Sequence, residues 1–328
     1  MRRQLASLPL DGRYISSSPE YARGAVSESG PNYLELDPRR RMVRQSLRLS
    51  AVLRRMLLCL SLLCLLMAPD SLPPERPPEY AALQTVEDHG GKLPDEAAMV
   101  RLAQTDPIAF LEWCIIRYDR EVTGYRTNFR KQERIEGKLR PSEEIMVDFT
   151  EKPFSVLFHY AKPDEAKRVL YIKPDNEKDR GKLVVQTAGA ASAFLSIVTL
   201  DPDGAKARQS SRYVMPEFGI KIGSQRTLAP WVAAKKDGSL HIEFLGEKKI
   251  KELGDRPCWV LKRTRYRNSE EEGIGELTVY IDKETWLQTG SVLKSKTGEF
   301  MAEYFFRDVE LNPKFDEDTF TRKSLQKK

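Results

Sequence analysis

"GYRTNFRKQERIEGKL", Gly124 to Leu139, decides how the rest of the chain is read. It begins like a strand, and then four polar residues, Lys131, Gln132, Glu133 and Arg134, arrive in a row. Strand side chains alternate between faces, so the odd positions share one side. That side carries Tyr125, Thr127, Phe129, Lys131, Glu133 and Ile135, whereas Arg126, Asn128, Arg130, Gln132, Arg134 and Glu136 make the other side wholly polar. Two opposite charges therefore stand among aromatics on the candidate inner face. Two readings follow: an ion pair at the open rim of a sheet, or a pair at a cavity mouth that meets a polar headgroup while Tyr125 and Phe129 hold the apolar part. A bulge would instead send both charges outward.

The segments on either side set the fold class. Upstream, "PDEAAMVRLAQ" reads as a short helix, and Asp106 followed by Pro107 is an N-cap with proline at the first helical position. The helix this opens spaces Phe110, Leu111, Cys114, Ile115 and Tyr118 by threes and fours, and Trp113 and Ile116 widen its apolar stripe. After Gly124 the period becomes two: "EIMVDFTE", "FSVLFHYA", "RVLYIK", "KLVVQTA" and "AFLSIVTL" follow one another with turns at "KPDNEKDRG" and "LDPDG". An irregular stretch from Gln209 to Ala234 includes "SQRTLAPWVAA", a short helix carrying Trp231, and strands then resume to "EFMAEYFFRDVEL". No long helix separates neighbouring strands, so the sheet is an antiparallel meander. The expected fold is α+β: a large curved antiparallel sheet of about ten strands, an open half-barrel wrapped around an N-terminal helix, with a helical or irregular lid insertion.

Composition excludes one function class. The formal charge of +6 comes from the leader, since residues 1–72 hold eleven Arg, no Lys and six acids, while the remainder is near +1. A near-neutral domain has no electrostatic footprint for DNA or RNA. Arg54-Arg55 precede "MLLCLSLLCLLMA", Met56–Ala68, an apolar run short for a membrane span and suited to an export signal. Leu66 and Pro69 make a poor cleavage site after Ala68, so a retained anchor stays open beside cleavage. A start at Met42 would give a signal of ordinary length, and a genuine extension before it is the alternative. Export would put the chain in the periplasm or elsewhere in the cell envelope. In that oxidising setting Cys114 and Cys258 are a natural disulfide pair, closing a loop worth roughly 4–5 kcal/mol. Two buried free thiols are the alternative.

A search for chemistry returns little. G-x-S-x-G, Walker A, H-E-x-x-H, C-x-x-C and dinucleotide motifs are all absent. His159 faces away from Phe158 and Tyr160, as a surface or edge histidine would. "LDPDG" is ordinary turn chemistry and fits no calcium loop. No catalytic residue, cofactor or metal is expected, and the chain reads as non-enzymatic. What remains is apolar surface. Helices can cover only part of so large a sheet, and an uncovered part lined by Tyr125, Phe129, Phe154 and Phe158 would be a cavity for an acyl chain or other apolar ligand. A core that closes fully, leaving the sheet as a platform for an envelope protein partner, is the other reading. Any membrane contact is then transient, or made through an uncleaved anchor.

The order of pieces resembles the LolA/LolB-like lipoprotein-carrier superfamily over about Asp95 to Lys323. The likeness rests on a helix leading to a strand with Phe129 and Gln132, on the basic-Pro turn in "FTEKPFSVLFHY", and on "YIDKETWLQTGSVL" and "EYFFRDVELNPKFDEDTF" with Asp282, Asn312 and Phe320. A closer likeness is to an uncharacterised domain of exported bacterial proteins with K-Q-E-R-I-x-G, P-F-S-V, L-D-P-D-G, S-R-Y and R-P-C, standing here at Lys131–Gly137, Pro153–Val156, Leu200–Gly204, Ser211–Tyr213 and Arg256–Cys258. The resemblance implies an open barrel closed by helices and binding of a lipid or lipoprotein acyl chain, with Tyr125, Phe129, Lys131, Glu133, Phe154, Phe158 and Trp231 as the candidate ligand-binding residues. It implies lid gating at Lys152, where carriers of this type place an Arg; lysine keeps the charge but loses the planar fork. The expected organisation is a leader and signal n-region over 1–55, the signal's hydrophobic region over 56–68, a Pro-rich linker over 69–93, a LolA-like domain over 94–323 and a basic tail over 324–328.

Overall fold

The computed structural model describes residues 85–175, 181–266 and 273–326. The leader, the apolar run Met56–Ala68 and most of the Pro-rich linker lie outside the described residues. Ordered structure opens with α1 (Glu96–Thr105) and α2 (Pro107–Glu121). Asp95 caps the first by accepting from the Ala98 N–H at 2.7 Å, and Asp106 caps the second by accepting from the Ala109 N–H at 3.3 Å. Pro107 at the start of α2 gives up only an N–H that the first turn leaves unpaired.

Twelve strands then form one open antiparallel sheet, not closed into a barrel. They are β1 (Gly124–Ile135), β2 (Lys138–Leu139), β3 (Glu143–Glu151), β4 (Phe154–Tyr160), β5 (Ala166–Ile172), β6 (Leu183–Thr187), β7 (Ile197–Leu200), β8 (His241–Ile250), β9 (Arg256–Thr264), β10 (Ile274–Asp282), β11 (Gln288–Ser295) and β12 (Phe300–Leu311). The spatial order is β7-β6-β5-β4-β3-β1-β12-β11-β10-β9-β8, with β2 pairing only β1. The meander is thus two runs of strands joined by the pairing of β1 with β12, and β1 sits near the middle of the sheet. Among these strands β2, only two residues long, was too short for a periodic pattern to mark, whereas β7 lies within the expected strand "AFLSIVTL". Between β7 and β8 lie α3 (Ala205–Ser210) and α4 (Ile220–Lys236). The helix around Trp231 is therefore longer than the sequence indicated. Pro230 falls inside it without ending it.

The concave face holds two apolar clusters. On the β8–β11 side, α1, α2 and α4 bury Met99, Phe110, Leu111, Ile115, Leu228 and Trp231 against Trp259, Leu261, Val279 and Ile281. On the β3–β7 side, Tyr125, Phe129, Val147, Phe149, Val156, Phe158 and Tyr171 form the second cluster. The convex face is covered locally. The segment after β12 returns over β4–β6 and seats Phe320 and Leu325 on Leu157, Leu170 and Val184. Asn312 fixes this closing corner, since its Oδ1 accepts from the Thr123 N–H at 2.7 Å and its Nδ2 donates to the Glu121 carbonyl at 2.7 Å.

The Cys114–Cys258 disulfide does not form; both thiols are free and buried. Cys114 on α2 belongs to the concave cluster with Phe110. Cys258 points the opposite way from its neighbour Trp259 and packs on the convex side with Ile250, Leu253 and Phe305. The sheet stands between them, and a disulfide needs Cα atoms within about 7 Å. Burial raises both thiols, that of Cys258 to about 12, which leaves each a poor nucleophile.

His159 lies half-buried on the convex face, where its Nδ1 accepts from Arg168 Nε at 3.1 Å, and Arg168 Nη1 donates to the Ser324 carbonyl at 3.0 Å. Burial, then the Arg168 charge, lowers its pKa. A base whose folded pKa is depressed contributes stability above its unfolded value, lost as pH falls through the window between the two. Acidification from about pH 8 to about pH 5 should lower Tm more for the wild type than for His159→Gln, measured by thermal unfolding. Equal slopes would contradict this role.

Candidate functional site

On β1, Tyr125, Thr127, Phe129, Lys131 and Glu133 are all buried and the even positions from Arg126 to Arg134 are not. Tyr125 stacks on Phe149 with ring centroids 4.6 Å apart, and its hydroxyl accepts from the Ile220 N–H at 3.2 Å, serving one of the unpaired donors of the first turn of α4. Phe129 lies 4.7 Å from Phe306 and 6.4 Å from Phe158. Phe154, half-buried, meets the edge of Phe149 at 5.3 Å. These residues make an aromatic trough. Trp231 is not part of it, because α4 carries it into the other cluster beside Trp259.

The trough is roofed by the segment from Asp201 to Gly219. Ala207, Val214 and Met215 pack on it, and Phe218 is driven into its middle, 4.8 Å from Phe158, 5.3 Å from Phe129 and 5.7 Å from Phe306. The space that the sequence left open between core and cavity is occupied by this phenyl ring. Gly219 follows directly, at φ 135° and ψ 153°, a conformation open essentially to glycine alone. A Cβ there would meet the Phe149 ring only at ordinary contact distance, so the backbone conformation and not the space is what calls for glycine. The sequence offered one signal for this turn, an aromatic residue beside a glycine immediately before a helix.

At the far end of the trough the roof is latched to β1. Lys131 and Glu133 are 5% and 2% exposed, and Lys131 Nζ stands 3.0 Å from Glu133 Oε2. The ammonium also reaches Glu143 Oε2 at 3.0 Å, donates to Ser211 Oγ at 3.2 Å and to the Ser210 carbonyl at 3.4 Å. Glu133 Oε1 accepts from the Tyr304 hydroxyl at 2.7 Å and from the Arg212 N–H at 3.2 Å, and Ser211 Oγ lies within hydrogen-bond distance of both carboxylate oxygens. Burial alone would lower the Lys131 pKa; the Glu133 and Glu143 carboxylates outweigh it and raise it, so the ammonium stays charged. Tyr304 stacks on Phe129, which joins the latch to the trough. A second hold comes from α4, where the Arg226 guanidinium lies 3.8 Å over the Tyr213 ring and donates to the Glu217 carbonyl at 3.2 Å.

Lys152 takes no part in this. It is exposed at the β3–β4 turn, at the opposite end of β3 from Glu143, and among the described residues it makes no hydrogen bond to a helix. The lysine that holds the roof is Lys131. Ser211, Arg212 and Tyr213 were visible in the sequence as the S-R-Y motif, but nothing local shows that they meet β1. Phe218, Tyr304 and Glu143 carried no such mark.

An open antiparallel sheet with helices and an insertion over its concave face is the architecture that the LolA/LolB-like resemblance implied. The chain belongs to the DUF1571 family, described as proteins of unknown function, whose model matches residues 122–327. No curated protein matches it. Solved structures similar to it include a putative outer membrane lipoprotein-sorting protein domain from Vibrio parahaemolyticus, 10% identical over 66% of this chain and 98% of that one, with a TM-score of 0.33. Another is the lipoprotein LppX of Mycobacterium tuberculosis, 10% identical over 64% of this chain and 99% of that one, TM-score 0.34. A third is the MucA/MucB complex of Pseudomonas aeruginosa, 13% identical over 67% of this chain and 62% of that one, TM-score 0.38. All three scores lie below 0.5, so they say nothing of what this chain binds.

Removing one partner of a buried pair leaves the other charge uncompensated, whereas replacing both by apolar groups is often near neutral. Glu133→Gln should cost about 2–4 kcal/mol, the half-exposed Glu143 sparing part of the usual penalty, and the double change Lys131→Met with Glu133→Leu should cost less than either single change. Urea unfolding of the three variants measures this. Additive single costs would contradict a coupled pair.

Proposed function

We propose that this protein is a non-enzymatic binding protein of the cell envelope, exported by its Met56–Ala68 run, that takes a lipid or lipoprotein acyl chain into the trough between β1, β3, β4 and β12. The observation that carries the reading is that the aromatic trough is roofed by one insertion rather than by a second layer of the fold. That insertion pivots at Gly219, plugs the trough with one ring, Phe218, and is held at its other end by polar contacts to Lys131 and Glu133. A ligand chain takes the place of Phe218 when the latch opens. Tyr125, Phe129, Phe154 and Phe158 then line the chain, and Lys131 and Glu133 meet the headgroup that their contacts with the roof release.

Magnitudes favour such an exchange. A buried methylene is worth about 0.8 kcal/mol, so a twelve-carbon chain gains roughly 10 kcal/mol gross, against about 3 kcal/mol for re-exposing a phenyl ring and a few for the latch hydrogen bonds. The balance turns unfavourable for short ligands, which sets the expected class as long chains. Trp231 belongs to the packed half of the sheet and is outside this site. The second reading, a platform with a permanently closed core, is favoured by the tight seat of Phe218 against three aromatic rings.

Native mass spectrometry of the exported protein, purified without detergent and then incubated with a lysophospholipid, separates the two. A retained or acquired lipid mass, increased by Phe218→Ala, is expected. An apo mass unchanged by lipid in both the wild type and Phe218→Ala would overturn the carrier reading and leave the platform.

A further inference from the structure

The two edges of the sheet are built differently. At one edge, β8 carries Glu243, Glu247, Lys248 and Lys249, is broken by a bulge between Phe244 and Glu247 with Gly246 at φ 81°, and is crossed by Lys283, which pairs with both Glu247 and Glu96. Charge, bulge and cover are the usual means by which proteins keep an edge from pairing with another chain. Among the described residues, the other edge, β7, has none of them. From Leu183 to Leu200 the sequence contains no Lys, Arg, Asp or Glu, in a chain that is 31% charged. The loop leading into β7 ends in Phe194 and Leu195, which are 68% and 40% exposed.

The backbone of β7 is oriented for a further strand. The Thr187 N–H donates to the Ser196 carbonyl at 3.1 Å, so in the antiparallel alternation Ser196, Val198 and Leu200 turn their backbone groups toward β6. Ile197 and Thr199 turn theirs to the free side. Val198 and Leu200 join the concave cluster, Ile197 joins the convex one, and Thr199 is exposed.

We propose that β7 is a homotypic pairing edge: a second copy of this chain adds its own β7 antiparallel, about a two-fold axis at Thr199. A two-fold axis normal to the sheet keeps concave with concave, which requires residues of the same parity to face each other. Thr199 then lies opposite Thr199 of the second copy as a doubly hydrogen-bonded pair, and Val198 lies opposite Leu200. Both are pairings that sheets favour. An uncharged edge has no repulsion to overcome against its own copy, and the exposed Phe194 and Leu195 supply apolar area at the flank. Asp201 and Pro202 end the strand, so about this axis Val198, Thr199 and Leu200 pair within β7 and the contact is kept to three residues of each copy. So short an edge belongs at the low end of interface sizes, and a weak dimer that forms only at high protein concentration is expected.

Sedimentation velocity of the exported protein from about 1 to about 300 µM tests this. The wild type should pass from monomer to dimer. Thr199→Pro, which removes an N–H that bonds nothing within its own sheet, and Thr199→Lys, which leaves the backbone intact, should stay monomeric with unchanged Tm. A wild type monomeric throughout, variants that dimerise as the wild type does, or assembly beyond the dimer would each overturn the proposal.

Discussion

The buried pair of Lys131 and Glu133 is the constraint around which the candidate site is arranged. Taking both charges out of water costs several kcal/mol each, and their mutual attraction repays that only if the remaining donors and lone pairs are also satisfied. The strand that carries them cannot do this alone, because its neighbours offer only Glu143 from β3 and Tyr304 from β12. The missing partners are the Ser210 carbonyl, the Ser211 hydroxyl and the Arg212 N–H, all from the insertion. Burying the pair and seating the roof are therefore one event. A roof that lifts at this end leaves two charges to find water or another polar group.

The rest of the architecture divides the labour across the sheet. Its β8–β11 half is packed under α1, α2 and α4, with Phe110, Trp231, Trp259 and Ile281 fully buried, and gives a rigid base. Its β3–β7 half has no helix layer of comparable extent and relies on the insertion and on Phe218. Tyr125 links the two, since it stacks in the trough and bonds the first turn of α4.

Much of this was legible in the sequence, for reasons that can be named. Period-two alternation on β1 placed Tyr125, Phe129, Lys131 and Glu133 on one face, and it held because the irregularity in the pairing with β12 puts the extra residue on β12 and leaves β1 regular. The caps at Asp95 and Asp106 were local signals with local consequences. Strand alternation alone could not tell a trough from a packed core, because Phe218 comes from a segment with neither period. It could not show that Cys114 and Cys258 lie on opposite sides of the sheet either, since one sits on a helix and the other on a strand whose facing depends on tertiary packing. The resemblance marked Lys152 by its position in a motif; it could not mark the contacts between β1 and the insertion, which belong to Lys131 and reach residues about eighty positions away in sequence.

Hydrogen exchange followed by mass spectrometry on the wild type and on Glu133→Gln addresses the coupling of latch and roof most directly. The account predicts that backbone amides from Ala205 to Phe218 lose protection in the variant while those of β3, β4 and β10 keep theirs. Unchanged protection across Ala205–Phe218 would show that the roof holds without the pair, and would contradict the central claim.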